Sequence, residues 1–381
     1  KTIRVMKIVL VGTAYPYRGG LASFNERLMQ QFQDEGDQVE IQTFSLQYPS
    51  FLFPGKTQYS DSTPSHSFKI ERSVSSINPF SWIRVGRKLK RMQPDIIIIK
   101  YWLPFMAPCF GTIASVAKAN KHTRIVAIAD NIIAHEPRFF DKWFTAYFAK
   151  KVDCWVAMSQ SVLKDIDIFD TKSPRVLTPH PLFDNFGQAV ERNLALKALN
   201  LQTDKINLLF FGLVREYKGL DILLQAMKDQ RLKAYPLCLV VAGEFYDDYS
   251  KYEQMVEEYG LSGVVKMENK FIKDEDVATY FSACDLVVLP YKSATQSGVT
   301  QIAFHFSKPM LVTKVGGLPE IVSEGRSGYV CEPNAESIAD CLVDFCSNQR
   351  NFDQTLQQEK QRFAWDKMTA AIRELYNKLK N

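Results

Sequence analysis

Short apolar runs recur along nearly the whole chain with amphipathic helical stretches between them, and few folds accept that alternation. In the first half the runs fall at 6–11, 39–44, 96–100, 125–129, 154–157 and 176–177. In the second they fall at 207–211, 237–242, 264–267, 286–289, 310–313 and 328–330. Such runs read as strands buried on both faces, and the helical intervals supply the crossovers that parallel pairing needs. The stretch 22–36 shows this, with Leu21, Phe24, Leu28 and Phe32 on one face, and 82–92 follows the turn signal Asn78-Pro79. In the second half helices are expected to begin near Lys218, Tyr249, Asp274, Gly298, Pro319 and Ala335. The pattern pauses only at a polar stretch near 188–204, and a chain of 381 residues has room for two domains. The expectation is α/β: two Rossmann-like doubly wound domains facing a cleft, 1–187 and 188–362. A terminal amphipathic helix within 363–381, carrying Trp365, Met368, Ile372 and Leu375 in register, is expected to pack back on the first. The polar segment 48–76 reads as one long excursion of the kind that often covers a site.

Composition removes other classes. With 18 Gly and 17 Pro, collagen-like and low-complexity readings fail. No apolar run approaches the ~20 residues that would span a bilayer, and the charged-then-apolar start reads as a first strand rather than a leader. Seven scattered cysteines without ligand spacing read as reduced thiols of a cytoplasmic chain. Net charge is +5, too small to announce a nucleic-acid partner, and none is expected. Its distribution is uneven: residues 1–190 hold 24 Lys/Arg against 16 Asp/Glu, and the remainder 23 against 26.

Ligands of open parallel sheets bind outside the carboxyl ends of the strands, so the loops there carry the functional reading. The first, VGTAYPYRGGLA at 11–22, lacks the G-x-G-x-x-G dinucleotide spacing, but Gly19 and Gly20 precede a helix and let its N–H groups approach a phosphate or sugar. The loop GLVREYKGLD at 212–221 sets Arg215 and Lys218 three apart where a helix opens, a site suited to a diphosphate. In LPYKSATQSGVTQ at 289–301, Thr295, Gln296, Ser297 and Gly298 offer hydroxyl, amide and backbone donors at a helix start. In KVGGLPEIV, Glu320 sits in a first helical turn, as a capping group or as an acceptor for sugar hydroxyls. His135 and Glu136 lie in DNIIAHEPR, on a loop placed to face the cleft, and His180 reads as a linker residue.

The ordered set FGLVREYKGLDILLQA, VVAGEF, ACDLVVLPYKSATQSGVTQIAF, KPMLVTKVGGLPEIV and GRSGYVCEP resembles the second domain of family-4 retaining glycosyltransferases of the GT-B fold. The segments RGGLASFNERL, DNIIAHEP, MSQSV and PHPLFDNF are similar to the matching acceptor domain. The resemblance implies a sugar moved from a nucleoside diphosphate donor, UDP- or GDP-linked, to a saccharide or lipid-linked acceptor, with no cofactor and no required metal. It implies that Arg215 and Lys218 bind the diphosphate, that Gly19 and Gly20 border the leaving group, and that 295–298 and Glu244 of VVAGEF belong to the donor site. Two features depart from the family pattern. Its paired carboxylates, eight apart, fall on Ala294 and Ile302, leaving ribose to Gln301, Glu320 or the backbone. Its first-domain His falls on Asp130, with His135 and Glu136 as the local replacement or Asp130 itself acting. The D-x-D at 165–167 lies in a helical pattern rather than at a strand end and reads as no metal site.

Two basic stretches interleave aromatics. Between Trp82 and Met92 stand Arg84, Arg87, Lys88, Lys90 and Arg91. Between Arg138 and Lys151, Lys142 and Lys150 mix with Phe139, Phe140, Trp143, Phe144, Tyr147 and Phe148. Either stretch suits an anionic membrane surface, giving a protein peripheral on the inner face, or a core helix with a solvated rim. Two other readings stay open: a catalytically degenerate subunit that binds nucleotide sugar or glycan, and a nucleotide-sugar epimerase.

Overall fold

The computed structural model describes residues 5–49, 58–59, 67–133, 138–294, 297–348 and 350–380. The chain divides into two compact units, one of residues 1–179 with 365–381, the other of residues 180–364.

In the first unit, β1 (Lys7–Val11), β2 (Gln38–Leu46), β3 (Lys69–Ser75), β4 (Ile96–Tyr101), β5 (Arg124–Ala129), β6 (Cys154–Ala157) and β7 (Arg175–Leu177) form one sheet in the order β3-β2-β1-β4-β5-β6-β7. All its pairings are parallel. Central strands are apolar on both faces because helices cover both: every residue of β4 is buried. The strand β3 lies inside the stretch read from sequence as a pure excursion, and its KIERSVS buries only Ser73 and Val74 because it is the sheet's edge. Of the remainder of that excursion, 50–57 and 60–66 lie outside the described residues.

The helix Trp365–Lys378 belongs to this unit. Trp365 packs 5.3 Å from the Phe24 ring, and Arg373 bridges Glu35 at 2.9 Å and Asp37 at 2.6 Å. Tyr376 Oη donates to Asp95 Oδ1 at 2.9 Å, completing an attachment that is apolar along one stripe and ionic at its end.

The second unit holds β8 (Ile206–Phe211), β9 (Leu237–Ala242), β10 (Val265–Glu268), β11 (Leu286–Leu289), β12 (Met310–Thr313) and β13 (Gly328–Cys331), again parallel, in the order β10-β9-β8-β11-β12-β13. The division between units falls after Pro179 rather than after 187, since the segment that follows is tied to unit two. Leu182 N donates to Phe363 O at 3.0 Å, Val190 N to Ser282 Oγ at 3.0 Å, and His305 Nε2 to Gly187 O at 2.8 Å.

In each sheet the strand order reverses once, between β1 and β4 and between β8 and β11. Loops leaving the carboxyl ends of those neighbours diverge to opposite faces, and the crevice between them is where a ligand of this architecture sits.

Candidate functional site

The unit-two crevice is lined by the loops that follow β8 and β11. Arg215 caps a short 3₁₀ turn, Glu216–Lys218, after which the helix Leu220–Met227 begins at Gly219. Lys218 is 92% buried, and its ammonium reaches within 3.2 Å of where a Cβ would stand on Gly212, the first residue after β8. The same point on Gly212 is 3.8 Å from Val299, in the first turn of the helix Gly298–His305. A buried cation, an open backbone and a helix N-terminus therefore converge, the combination that binds phosphate. Among the described residues no carboxylate pairs with Lys218; its neighbour is the Tyr291 ring, 5.7 Å from the ammonium. Burial, and then the Arg215 charge, pull its pKa down to about 8. Arg215 is exposed and rests its guanidinium 4.8 Å over Tyr246.

The other expected donor-site residues take varied positions. Ser297 is buried, accepts from Val299 N at 3.3 Å as the helix cap, and shares a 3.1 Å hydrogen bond with Tyr291 Oη. Gly298 lies under the Phe183 ring, 2.8 Å from where a Cβ would stand, so packing alone explains glycine there. Gln301 is wholly buried with both amide atoms unpartnered, covered by the fold as placed. Glu320 is exposed on the four-residue helix Leu318–Ile321, with its carbonyl accepting from Arg362 at 3.2 Å. Glu244 is buried just past β9, and its carbonyl accepts from Val214 N at 2.9 Å, tying that strand's exit to the Arg215 loop. Thr295 and Gln296 lie outside the described residues.

At the unit-one crevice, Gly19 and Gly20 begin the helix Gly20–Asp34 without a side-chain cap, and a Cβ on Gly19 would meet nothing within 4 Å. His135 and Glu136 lie outside the described residues. Asp130, directly after β5, accepts from Lys100 Nζ of β4 at 2.9 Å. The 165–167 acidic pair belongs to the helix Gln160–Asp167, where Asp167 is bound by Arg175. Among the described residues no group of three or more His, Cys, Asp or Glu is placed to hold a metal.

The sequence pattern singles out neither Tyr246 nor Tyr291, which orient Arg215 and join Lys218 to the Ser297 cap. The one available signal was position, since each follows a strand end by two to four residues. Lys100 had a clearer one, a lone charge closing the run IIIIK.

Residues 191–369 match the family described as glycosyl transferases group 1. An uncharacterized glycosyltransferase of Methanocaldococcus jannaschii is 22% identical over 98% of this chain and 99% of its own. O-antigen chain mannosyltransferase C of Escherichia coli is 25% identical over 92% and 91%. Among solved structures, sucrose-phosphate synthase of Thermosynechococcus elongatus superposes with a TM-score of 0.75 over 98% of this chain and 99% of that one at 17% identity. Anabaena HepE, solved with UDP and glucose, gives 0.74 over 98% and 100% at 15%. Two doubly wound parallel sheets of this order are the GT-B architecture. The second unit therefore carries the group 1 glycosyltransferase match, and the chain as a whole is similar to glycosyltransferases along nearly its full length.

Proposed function

We propose that the protein is a retaining, metal-independent hexosyltransferase that moves a sugar from a UDP- or GDP-linked donor to a saccharide or lipid-linked acceptor in surface polysaccharide or glycolipid synthesis. The observation that carries this reading is the convergence of Lys218, Gly212 and the Gly298–His305 N-terminus at the β8/β11 crevice. Breaking the sugar–phosphate bond leaves a diphosphate whose growing charge needs fixed positive partners, and Lys218 and Arg215 supply two. The incoming hydroxyl gives its proton to a departing phosphate oxygen on the same face, so Ala294 and Ile302 need not be carboxylates. UDP in the HepE structure and the mannosyl transfer named for the E. coli relative support a nucleotide-sugar donor. A panel of UDP- and GDP-sugars assayed for slow hydrolysis tests it: turnover of one donor is expected, and tight binding without turnover of any would leave a glycan-binding subunit instead.

Association with an anionic membrane surface through unit one is the second part of the reading, and exposed aromatics beside unpaired cations favour it. Phe80 on the helix Pro79–Met92 is 83% exposed, and Phe139 and Trp143 are 85% and 72% exposed. A groove of about 510 Å³ along the helix Pro79–Met92 is lined by Phe80, Ile83, Arg84, Arg87, Lys88 and Arg91. Lys88 is committed to Glu40 and Glu71, whereas among the described residues no carboxylate meets the three arginines. At roughly 1 kcal/mol for each basic residue near an anionic surface, changing all three to Gln should lower affinity for phosphatidylglycerol vesicles about a hundredfold. Vesicle sedimentation measures this. Wild-type binding should fade with salt, and equal binding to neutral vesicles would overturn the assignment.

A further inference from the structure

Lys100 is 99% buried at the carboxyl end of β4, one of the two strands that flank the unit-one crevice. A lysine buried this deeply is costly unless paired and held. Its ammonium donates to Asp130 Oδ1 at 2.9 Å and lies 3.3 Å from the centre of the Phe24 ring. Phe24 stands on the helix Gly20–Asp34, so one side chain joins β4, the exit of β5 and the helix that begins at the glycine pair. The Asp130 side chain keeps 19% exposure, and among the described residues no donor other than Lys100 engages it. One carboxylate oxygen is thus held by Lys100, and the side chain keeps part of its surface uncovered at the carboxyl end of β5.

We infer that Lys100 is a positioning residue for sugar transfer: it holds Asp130 oriented and ionised so that the other carboxylate oxygen accepts a hydrogen bond from a hydroxyl of the saccharide substrate. The inference rests on the glycosyltransferase reading and assigns a role to a residue pair that packing alone would leave as a stabilising contact. Burial pushes the two groups toward their neutral forms, Lys100 downward and Asp130 upward, and each offsets this for the other. Removing one partner strands the other, so single variants conflate folding with function.

The double variant Lys100→Met with Asp130→Leu removes both charges and separates the two. Its thermal midpoint should lie close to that of wild type, as expected for an ion pair replaced by apolar groups, while donor turnover falls at least about tenfold. Asp130→Glu keeps the charge and the pairing and moves the carboxylate by one methylene. It should fold, and should raise KM for the sugar donor or lower kcat by about tenfold. Wild-type turnover in either variant would show that the pair only packs, overturning the assignment. UDP and GDP thermal shifts, measured on wild type and both variants, keep the two readings apart. Absence of a shift in wild type strikes the donor-site reading, whereas a retained shift with unchanged turnover strikes Lys100.

Discussion

Replacing Lys218 by Met should lower turnover about a hundredfold, the usual loss when one preorganised positive partner of a developing anion is removed. The Met side chain keeps the packed stem, so the fold should survive, and below pH 8 it should gain. Burial beside Arg215 lowers the lysine from 10.5 to about 8. The folded protein therefore releases this proton more readily than the unfolded chain does. Between about pH 8 and 10.5 the unfolded state binds more protons, so stability contributed by this site rises with pH through that window and is lowest below it. The full difference amounts to about 3 kcal/mol below pH 8, which the neutral variant does not carry. Urea unfolding at pH 7 and pH 10 should show a pH slope in wild type that is missing in Lys218→Met. A bound diphosphate reverses the shift, so nucleoside diphosphate binding above pH 8 should take up a proton and weaken as pH rises. Titration calorimetry in two buffers of different ionisation heat reads that proton directly. Unchanged turnover in Lys218→Met would remove the residue from the site.

What the amino-acid order revealed follows from which interactions are local. Runs such as Ile96–Ile99 are legible because a strand covered on both faces must be apolar throughout. The edge strand Lys69–Ser75 escapes notice because one neighbour and a solvated flank demand no such run. Arg215 and Lys218 were visible because strand, loop and helix follow one another in sequence. Tyr291 acquires its place only when the β11 exit folds against the β8 exit, and Lys100 meets Asp130 across thirty residues, so neither contact has a local signature. Gln301 stands at the spacing expected of a donor-site residue, and its complete burial is a property of the fold that the spacing does not reveal.

Gly219→Ala should be among the most damaging single-methyl changes in the protein. Gly219 adopts φ +68° between the Lys218 turn and the next helix, and a Cβ there would stand 2.0 Å from the carbonyl oxygen of Pro290. That contact is one of several that clamp the β8 and β11 exits together: Lys292 N donates to Tyr217 O at 2.7 Å, and Lys292 Nζ meets Asp221 at 2.8 Å. The left-handed backbone alone costs an alanine about 1–2 kcal/mol, and forcing Pro290 outward adds roughly 1–3 kcal/mol more. Gly260→Ala provides the comparison, because Gly260 has nearly the same φ, +67°, with nothing within 4 Å of its Cβ position. It should lose only the backbone contribution. The excess loss at Gly219, read from urea midpoints, measures the clamp. Function should fall with it, because Pro290 leads directly to Tyr291, and displacing that ring separates Lys218 from the Ser297 cap. Nucleoside diphosphate affinity should drop about tenfold or more in Gly219→Ala, at temperatures where it remains folded, and stay unchanged in Gly260→Ala. Equal stability losses with full affinity in both would mean that the two exits are not held by this contact and that the cradle forms without it.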